Sequence, residues 1–347
     1  MRKKSKDILF IGALDLPNTP SAGDTVKNQF LLEYLSTYRS VDYIDTFYWR
    51  KKPTLLFCII CKALFGRYNA IVYSVSNVSA YKLARIFSIL PIKSKLIYCM
   101  IGGYTPIKIA SGEYSAKPFK KLDKIIVEAD KVIELYDKVG IKNTLRVYNF
   151  KPFTYVPDIS VSRKGEVKFF FLSRITEMKG AFLICDAVHS LNKSGYGKEF
   201  SIDFYGPISP EIKDRFTSIV DELPNVSYKG FLDLRDESNY SVLADYDAML
   251  FPTMHLTEGF PGVIADAAIA GVPVIAADWN YADELLIRPQ CGYVIQKGCV
   301  TELTDKMKYI VENRLKNNLL RANCIRQAQI YKMSNILTEK LLNEIGI

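Results

Sequence analysis

At 347 residues, with 49% hydrophobic and 24% charged residues, the chain has a globular composition and exceeds what one hydrophobic core usually covers, so two domains of about 150 to 200 residues are expected. Seven cysteines (58, 61, 99, 185, 291, 299, 324), odd in number and scattered through apolar runs, favour free thiols in a reducing cytoplasm over a disulfide framework. The net charge of +9 is unevenly divided, with 25 Lys+Arg against 12 Asp+Glu in residues 1–157 and 21 against 25 in 158–347. A basic half of this kind suits nucleic acid, an anionic membrane surface, a pyrophosphate-linked acceptor, or simply a lysine-rich solvated surface.

Arg2, Lys3, Lys4 and Lys6 precede Ile8-Leu9-Phe10-Ile11 in the outline of a secretion signal. The apolar run is only as long as a strand and meets Asp15, so residues 8–14 are expected as the first strand. Gly12 and Ser21-Ala22-Gly23-Asp24-Thr25 bracket a long loop, with Asp24 or Thr25 placed to cap a helix over 25–38. A strand over 41–48 leads to the basic cluster Trp49-Arg50-Lys51-Lys52-Pro53 and the apolar run 54–65. That run contains Lys62 and falls well short of the ~20 residues that span a bilayer, so no membrane crossing is expected. Apolar residues on all its sides favour a helix buried against the sheet over one lying on an anionic membrane. Cys58-x-x-Cys61 has zinc or redox spacing, but no second pair or nearby histidine completes a site, which leaves packing. Strands at 70–75, 95–101, 124–127 and 145–148 and a helix at 79–90 follow, and Ile101-Gly102-Gly103-Tyr104 ends one strand in a glycine pair. Short apolar runs alternating with helical patterns are the mark of parallel α/β layers.

Prolines and polar residues in 149–153 and 157–164 mark a linker, with a boundary at 157. The rhythm then restarts. Strands at 167–172, 200–205, 226–229, 248–251 and 273–276 alternate with helices at 180–193, 210–222, 235–244 and 262–270, predicting doubly wound domains over 1–157 and 158–325. A last helix over 319–347 is long enough to leave its own domain, and 326–347 is expected to pack back towards the first.

Phe169-Phe170-Phe171-Leu172-Ser173-Arg174 ends a strand in a cation, and Lys179 follows five residues later. Both fall at the C-terminal edge of a parallel sheet, where doubly wound folds bind ligands, and a departing pyrophosphate needs such charge. Tyr205-Gly206-Pro207 and Lys229-Gly230-Phe231 end two further strands in glycine turns. In residues 251–284, FPTMHLTEGFPGVIADAAIAGVPVIAADWNYADE, Glu258 closes a strand and Asp266 stands eight residues on, a spacing that predicts one shared helical face. Between them, Gly259-Phe260-Pro261-Gly262-Val263 lets backbone N–H groups approach a ligand at a helix N-terminus, and Gly271 stops the helix before the next buried strand. Two carboxylates flanked by N–H donors suit a polyhydroxyl sugar and the ribose of a nucleotide.

This stretch resembles the E-x7-E motif of family 4 retaining glycosyltransferases. Strand, PT, EGFPG, DA, AG, PVIA and DW occur in the order found in a branch that builds bacterial surface polysaccharides, with Asp266 where most members carry the second glutamate. The resemblance covers residues 167–300 by motif and the N-terminal half by topology. It implies an α/β GT-B fold, two Rossmann-like domains with an interdomain cleft and a C-terminal helix crossing back. It implies transfer of a hexose-type sugar from a nucleotide diphosphate donor to a hydroxyl of a lipid-linked glycan, of capsule, exopolysaccharide or O-antigen type, with retention. Arg174 and Lys179 match the family's R-x4-K and would hold the diphosphate. Glu258 would hold sugar hydroxyls with the amides of 260–263, Asp266 the ribose, and Gly23, Gly206 and Phe231 would line the nucleotide.

Many relatives place a histidine that faces donor and acceptor at the level of Gly102, Gly103 and Tyr104. It is missing here, neither His189 nor His255 maps onto it, and backbone of the glycine pair is expected to line the site instead. Asp245-Tyr246-Asp247 matches the D-x-D metal motif of the other large glycosyltransferase fold but reads as a helix end, so neither metal nor cofactor is expected. The expected partners are the nucleotide sugar and a glycan or polyprenyl-linked acceptor, met at the cytoplasmic face of a membrane on which Arg50, Lys51 and Lys52 dock, with no nucleic acid. The competing classes are a degenerate GT-B scaffold that binds sugar nucleotide and a nucleotide-sugar epimerase, whose cleft carboxylates and histidine the N-terminal half does not offer.

Overall fold

The computed structural model describes residues 6–15, 23–159, 165–256 and 258–347. Arg2, Lys3, Lys4, Ser21, Ala22, Thr257 and the side chain of Arg50 lie outside the described residues. The chain forms two compact units, Met1–Phe150 with Ser334–Ile347, and Lys151–Met333.

The first unit is built on a six-stranded parallel sheet of β1 (Ile8–Gly12), β2 (Val41–Asp45), β3 (Ala70–Ser74), β4 (Lys95–Cys99), β5 (Lys124–Val127) and β6 (Thr144–Arg146), in the order β2-β1-β3-β4-β5-β6. β1 and β3 are buried at every residue, which is why their sequences run apolar without alternation. Residues 334–347 complete this unit. The helix Glu339–Ile345 buries Leu341, Leu342 and Ile345, while the Tyr34 hydroxyl donates to the Thr338 carbonyl (2.6 Å) and Lys95 to that of Gly346 (2.7 Å).

The helix Thr54–Phe65 departs from its expected burial, since only Ile59 and Ala63 are buried. It leaves β2, the edge strand, so the sheet offers it a core along one side alone. Lys62 turns to Asp42 (2.6 Å), which also accepts from the Tyr68 hydroxyl.

The second unit repeats the plan with β7 (Val167–Leu172), β8 (Phe200–Tyr205), β9 (Val226–Gly230), β10 (Ala248–Phe251), β11 (Val274–Ala277) and β12 (Gly292–Ile295), ordered β12-β11-β10-β7-β8-β9. Its core packs Phe169, Phe171, Phe200, Phe204 and Phe216 with Ile184 and Met307. The chain lays strands outward from β7 in one direction and then outward from β10 in the other. The carboxyl ends of these neighbours are therefore the topological switch point at which doubly wound sheets bind ligands.

Two sequence expectations shift at the unit boundary. It falls at 150/151 rather than 157, because the Lys151 amide donates to the Tyr331 carbonyl (2.9 Å) and Glu237 accepts from the amides of Thr154 and Tyr155. The single helix expected over 319–347 is broken into Arg314–Ala328, Met333–Ile336 and Glu339–Ile345. Around 331–333 the backbone trades helical bonds for a parallel bridge to Lys151.

Candidate functional site

Beyond β7 the chain runs against the turn after β8. Gly206 takes a φ of 129°, and a Cβ there would collide with the Ser173 carbonyl, so only glycine lets the two backbones meet. Arg174 projects from this turn, exposed. Thr176 then caps a short 3₁₀ turn, Glu177–Lys179, its hydroxyl accepting from the Lys179 amide (3.1 Å). Gly180, at a φ of 83°, links this turn to the helix Ala181–Lys193 and lies so close to the Pro252 carbonyl that a side chain would clash. The loops after β7 and β10 are thereby stitched together, the Met254 amide donating to the Met178 carbonyl (2.8 Å).

This stitching brings two of the expected residues into contact. The Lys179 ammonium lies 2.6 Å from Oε2 of Glu258 and 5.5 Å from the centre of the Phe251 ring. The buried Thr253 hydroxyl donates to the same Oε2 (3.1 Å). Lys179 and Glu258 are 13% and 14% exposed, enough burial to strengthen the pair and enough opening to admit a ligand. Oε1 of Glu258 accepts no hydrogen bond among the described residues.

Three donors from beyond β11 brace the loop that carries Glu258. Lys297 donates to the His255 carbonyl (3.2 Å), the Asn280 amide to that of Leu256 (3.3 Å), and the Trp279 indole N–H to that of Gly259 (3.3 Å). Trp279 also packs edge-on against Phe251. Of these the sequence drew attention only to the DW pair, as part of a pattern; Asn280 and Lys297 carry no local signal. The His255 imidazole is held below its ordinary pKa by burial first and by Lys179 next, with Arg174 and Lys297 acting in the same direction and Glu258 opposing.

The shared helical face expected for Glu258 and Asp266 is corrected. Glu258 stands in the loop, and the helix Gly262–Ile269 begins only after Pro261, so Asp266 is one turn inside it. Its side chain is 4% exposed and accepts from the Tyr240 hydroxyl (2.7 Å) and Lys151 (3.0 Å). Burial, and then the charge of Asp266, push the Tyr240 phenol well above its usual pKa, so it is a fixed donor. Between the carboxylates Gly259 is buried, and Phe260 turns into the core against Tyr331 with rings 5.2 Å apart. The amides of Gly262 and Val263 open the helix, where no preceding turn supplies carbonyls. Gly206 donates its N–H to the Gly230 carbonyl (2.8 Å), and Phe231 beyond β9 is 66% exposed.

Of the D-x-D stretch, Asp247 is fully buried, clasped by Arg314 through both carboxylate oxygens (2.9 and 2.8 Å) and by the Lys168 amide, an arrangement that anchors the helix Arg314–Ala328. Gly23, Gly102, Gly103, Tyr104, Arg50, Lys51 and Lys52 belong to the first unit. Gly23 opens the helix Gly23–Tyr38, and Asp24 lies within its first turn rather than at its cap, accepting from the Thr25 amide. Gly102 and Gly103 lead into the helix Tyr104–Ala110, whose Thr105 is held by the Asn77 side chain, and the Tyr104 ring lies under Lys108.

Two parallel Rossmann-like units, one with a cation–carboxylate pair at its switch point, define a GT-B fold. Comparison with known proteins gives the family: the model described as glycosyl transferases group 1 matches residues 154–330, just over half of the chain, and the chain belongs to that family. The amylovoran biosynthesis glycosyltransferase AmsK of Erwinia amylovora is 27% identical over 133 residues, which are 37% of this chain and only 31% of that protein. HepE of Anabaena, solved with UDP, superposes with a TM-score of 0.72 at 16% identity, covering 98% of this chain and 100% of the other. Sucrose-phosphate synthase of Thermosynechococcus elongatus gives 0.74 at 13% identity, covering 98% and 99%. These two likenesses establish the fold.

Proposed function

We propose that this protein transfers a hexose-type sugar from a nucleoside diphosphate donor to a hydroxyl of a lipid-linked glycan, with retention and without a metal ion, at the cytoplasmic face of a membrane. One observation carries this reading. Glu258 has one oxygen fixed by Lys179 and Thr253 and the other without a donor among the described residues, four residues ahead of the first amides of the helix Gly262–Ile269, a set of acceptors and donors suited to sugar hydroxyls. Family membership supports it, as do a HepE structure solved with UDP-glucose and the part AmsK is named for in polysaccharide biosynthesis.

In this scheme Lys179 and the exposed Arg174 stabilise charge as it grows on the departing diphosphate, whose oxygen takes the acceptor's proton on the same face of the sugar. Glu258 orients the sugar. Asp266, already engaged by Tyr240 and Lys151, sets the position of the helix instead of taking the ribose itself.

A thermal-shift screen of UDP-, GDP- and ADP-sugars followed by turnover in EDTA tests the proposal. The matching donor at 100 times its Kd stabilises by ~2.7 kcal/mol, and nucleotide release then requires intact Glu258 and survives the chelator. Binding without turnover would make the protein a sugar-nucleotide scaffold; loss of turnover in EDTA would overturn the metal-free scheme.

A further inference from the structure

The helix Thr54–Phe65 carries apolar surface that the first unit leaves uncovered. At 100° per residue, Phe57, Cys61 and Phe65 follow one another along the side opposite Ile59 and Ala63. Phe57 is 71% exposed and Phe65 80%. The helix has a single charge, Lys62, and it is drawn to Asp42, so nothing interrupts the outward stripe. Just before the helix stand Lys51 and Lys52, both exposed, with Phe47 and Tyr48 exposed ahead of them. Paired phenylalanines in one exposed stripe mark an interaction surface.

We propose that this helix lies in the interface of an anionic phospholipid bilayer, Phe57 and Phe65 entering the boundary of headgroups and acyl chains while Lys51 and Lys52 meet the lipid phosphates. Charge complementarity selects this occupant: Lys51 and Lys52 stand exposed just before the helix, and residues 1–157 as a whole carry 25 cations against 12 acidic groups. A second copy fits less well. A 12-residue helix is about 18 Å long, too small a strip for the roughly 1,200 Å² that a stable interface buries, and a two-fold would set like-charged lysines against each other. The inference gives the lipid-linked acceptor of the proposed reaction a docking surface, but its test needs no transferase activity.

The test is sedimentation with vesicles of phosphatidylglycerol and phosphatidylethanolamine, against pure phosphatidylcholine, at about 0.05 M and about 0.5 M NaCl. Wild type binds the anionic vesicles at low salt and is released at high salt. The double variant Phe57→Ser/Phe65→Ser loses roughly tenfold or more in vesicle affinity, and Lys51→Gln/Lys52→Gln on the order of tenfold. Unchanged circular dichroism and an unchanged thermal shift with the donor nucleotide show that fold and donor site are intact. Failure of wild type to bind anionic vesicles at low salt, or equal binding by the phenylalanine variant, overturns the proposal. So does a concentration-dependent dimer that those two substitutions abolish, which would assign the stripe to a second copy of this chain.

Discussion

Glu258 has one carboxylate oxygen against Lys179 and Thr253 and the other turned to no protein donor among the described residues, whereas Asp266, one turn inside the next helix, has its carboxylate on Tyr240 and Lys151 and is almost sealed from solvent. A loop carboxylate with an open oxygen can exchange partners when a ligand arrives. A helix carboxylate bonded on both oxygens resists exchange, because any new partner must displace a buried hydroxyl or an ammonium. Two acids of one motif thus divide into one that keeps an oxygen for the substrate of the proposed reaction and one that holds the scaffold.

The sharpest way to break this division is kinetic. Lys179→Ala removes both the partner of Glu258 and the proposed stabiliser of the diphosphate, and should lower kcat by ~100- to 1,000-fold with a smaller effect on donor affinity. Glu258→Gln, which keeps the shape, should cost on the order of 10- to 150-fold in kcat/KM. Wild-type kinetics in either variant would remove that pair from the site.

Asp266→Ala should act on stability instead, leaving the Tyr240 hydroxyl and Lys151 without their acceptor at a loss of about 3 kcal/mol, read from urea unfolding. A variant as stable as wild type but unable to bind nucleotide would return Asp266 to the ribose.

The smallest effect concerns His255. Its folded pKa lies below the unfolded value of about 6.5, so the stability it contributes is complete above that pH and is lost as pH falls through the folded pKa. Between about pH 7.5 and about pH 5.5, wild type should lose up to roughly 1 kcal/mol more stability than His255→Gln, measured by urea unfolding at each pH. Parallel pH profiles would show that the imidazole is not held beside the cations.

Most strands were legible because a buried parallel strand is written locally, as in Phe169-Phe170-Phe171 and Met249-Leu250-Phe251, and the helix after Pro261 announced itself by proline, glycine and alanine. β12 was missed, since Gly-Tyr-Val-Ile is too short and too little buried to show a period. The outward stripe of Thr54–Phe65 is not legible either, because composition cannot reveal that a helix departs from an edge strand. The pairing of Lys179 with Glu258 was half visible, through strand ends that the fold places side by side. The engagement of Asp266 was not: Tyr240 and Lys151 lie 26 and 115 residues away, and the braces from Trp279, Asn280 and Lys297 are equally non-local.

The membership of residues 334–347 in the first unit orders events during synthesis. That unit's six strands leave the ribosome before any strand of the second, yet Leu341, Leu342 and Ile345 fill its core and Tyr34, Arg39 and Lys95 bond to carbonyls between Thr338 and Ile347. At ~5–20 residues per second, residues 151–333 take roughly 10 to 40 s to make, and for that interval the nascent first unit must wait with an apolar face unfilled. The part of the chain made first is therefore the part that finishes folding last, and it is the natural client of whatever chaperone attends the emerging polypeptide.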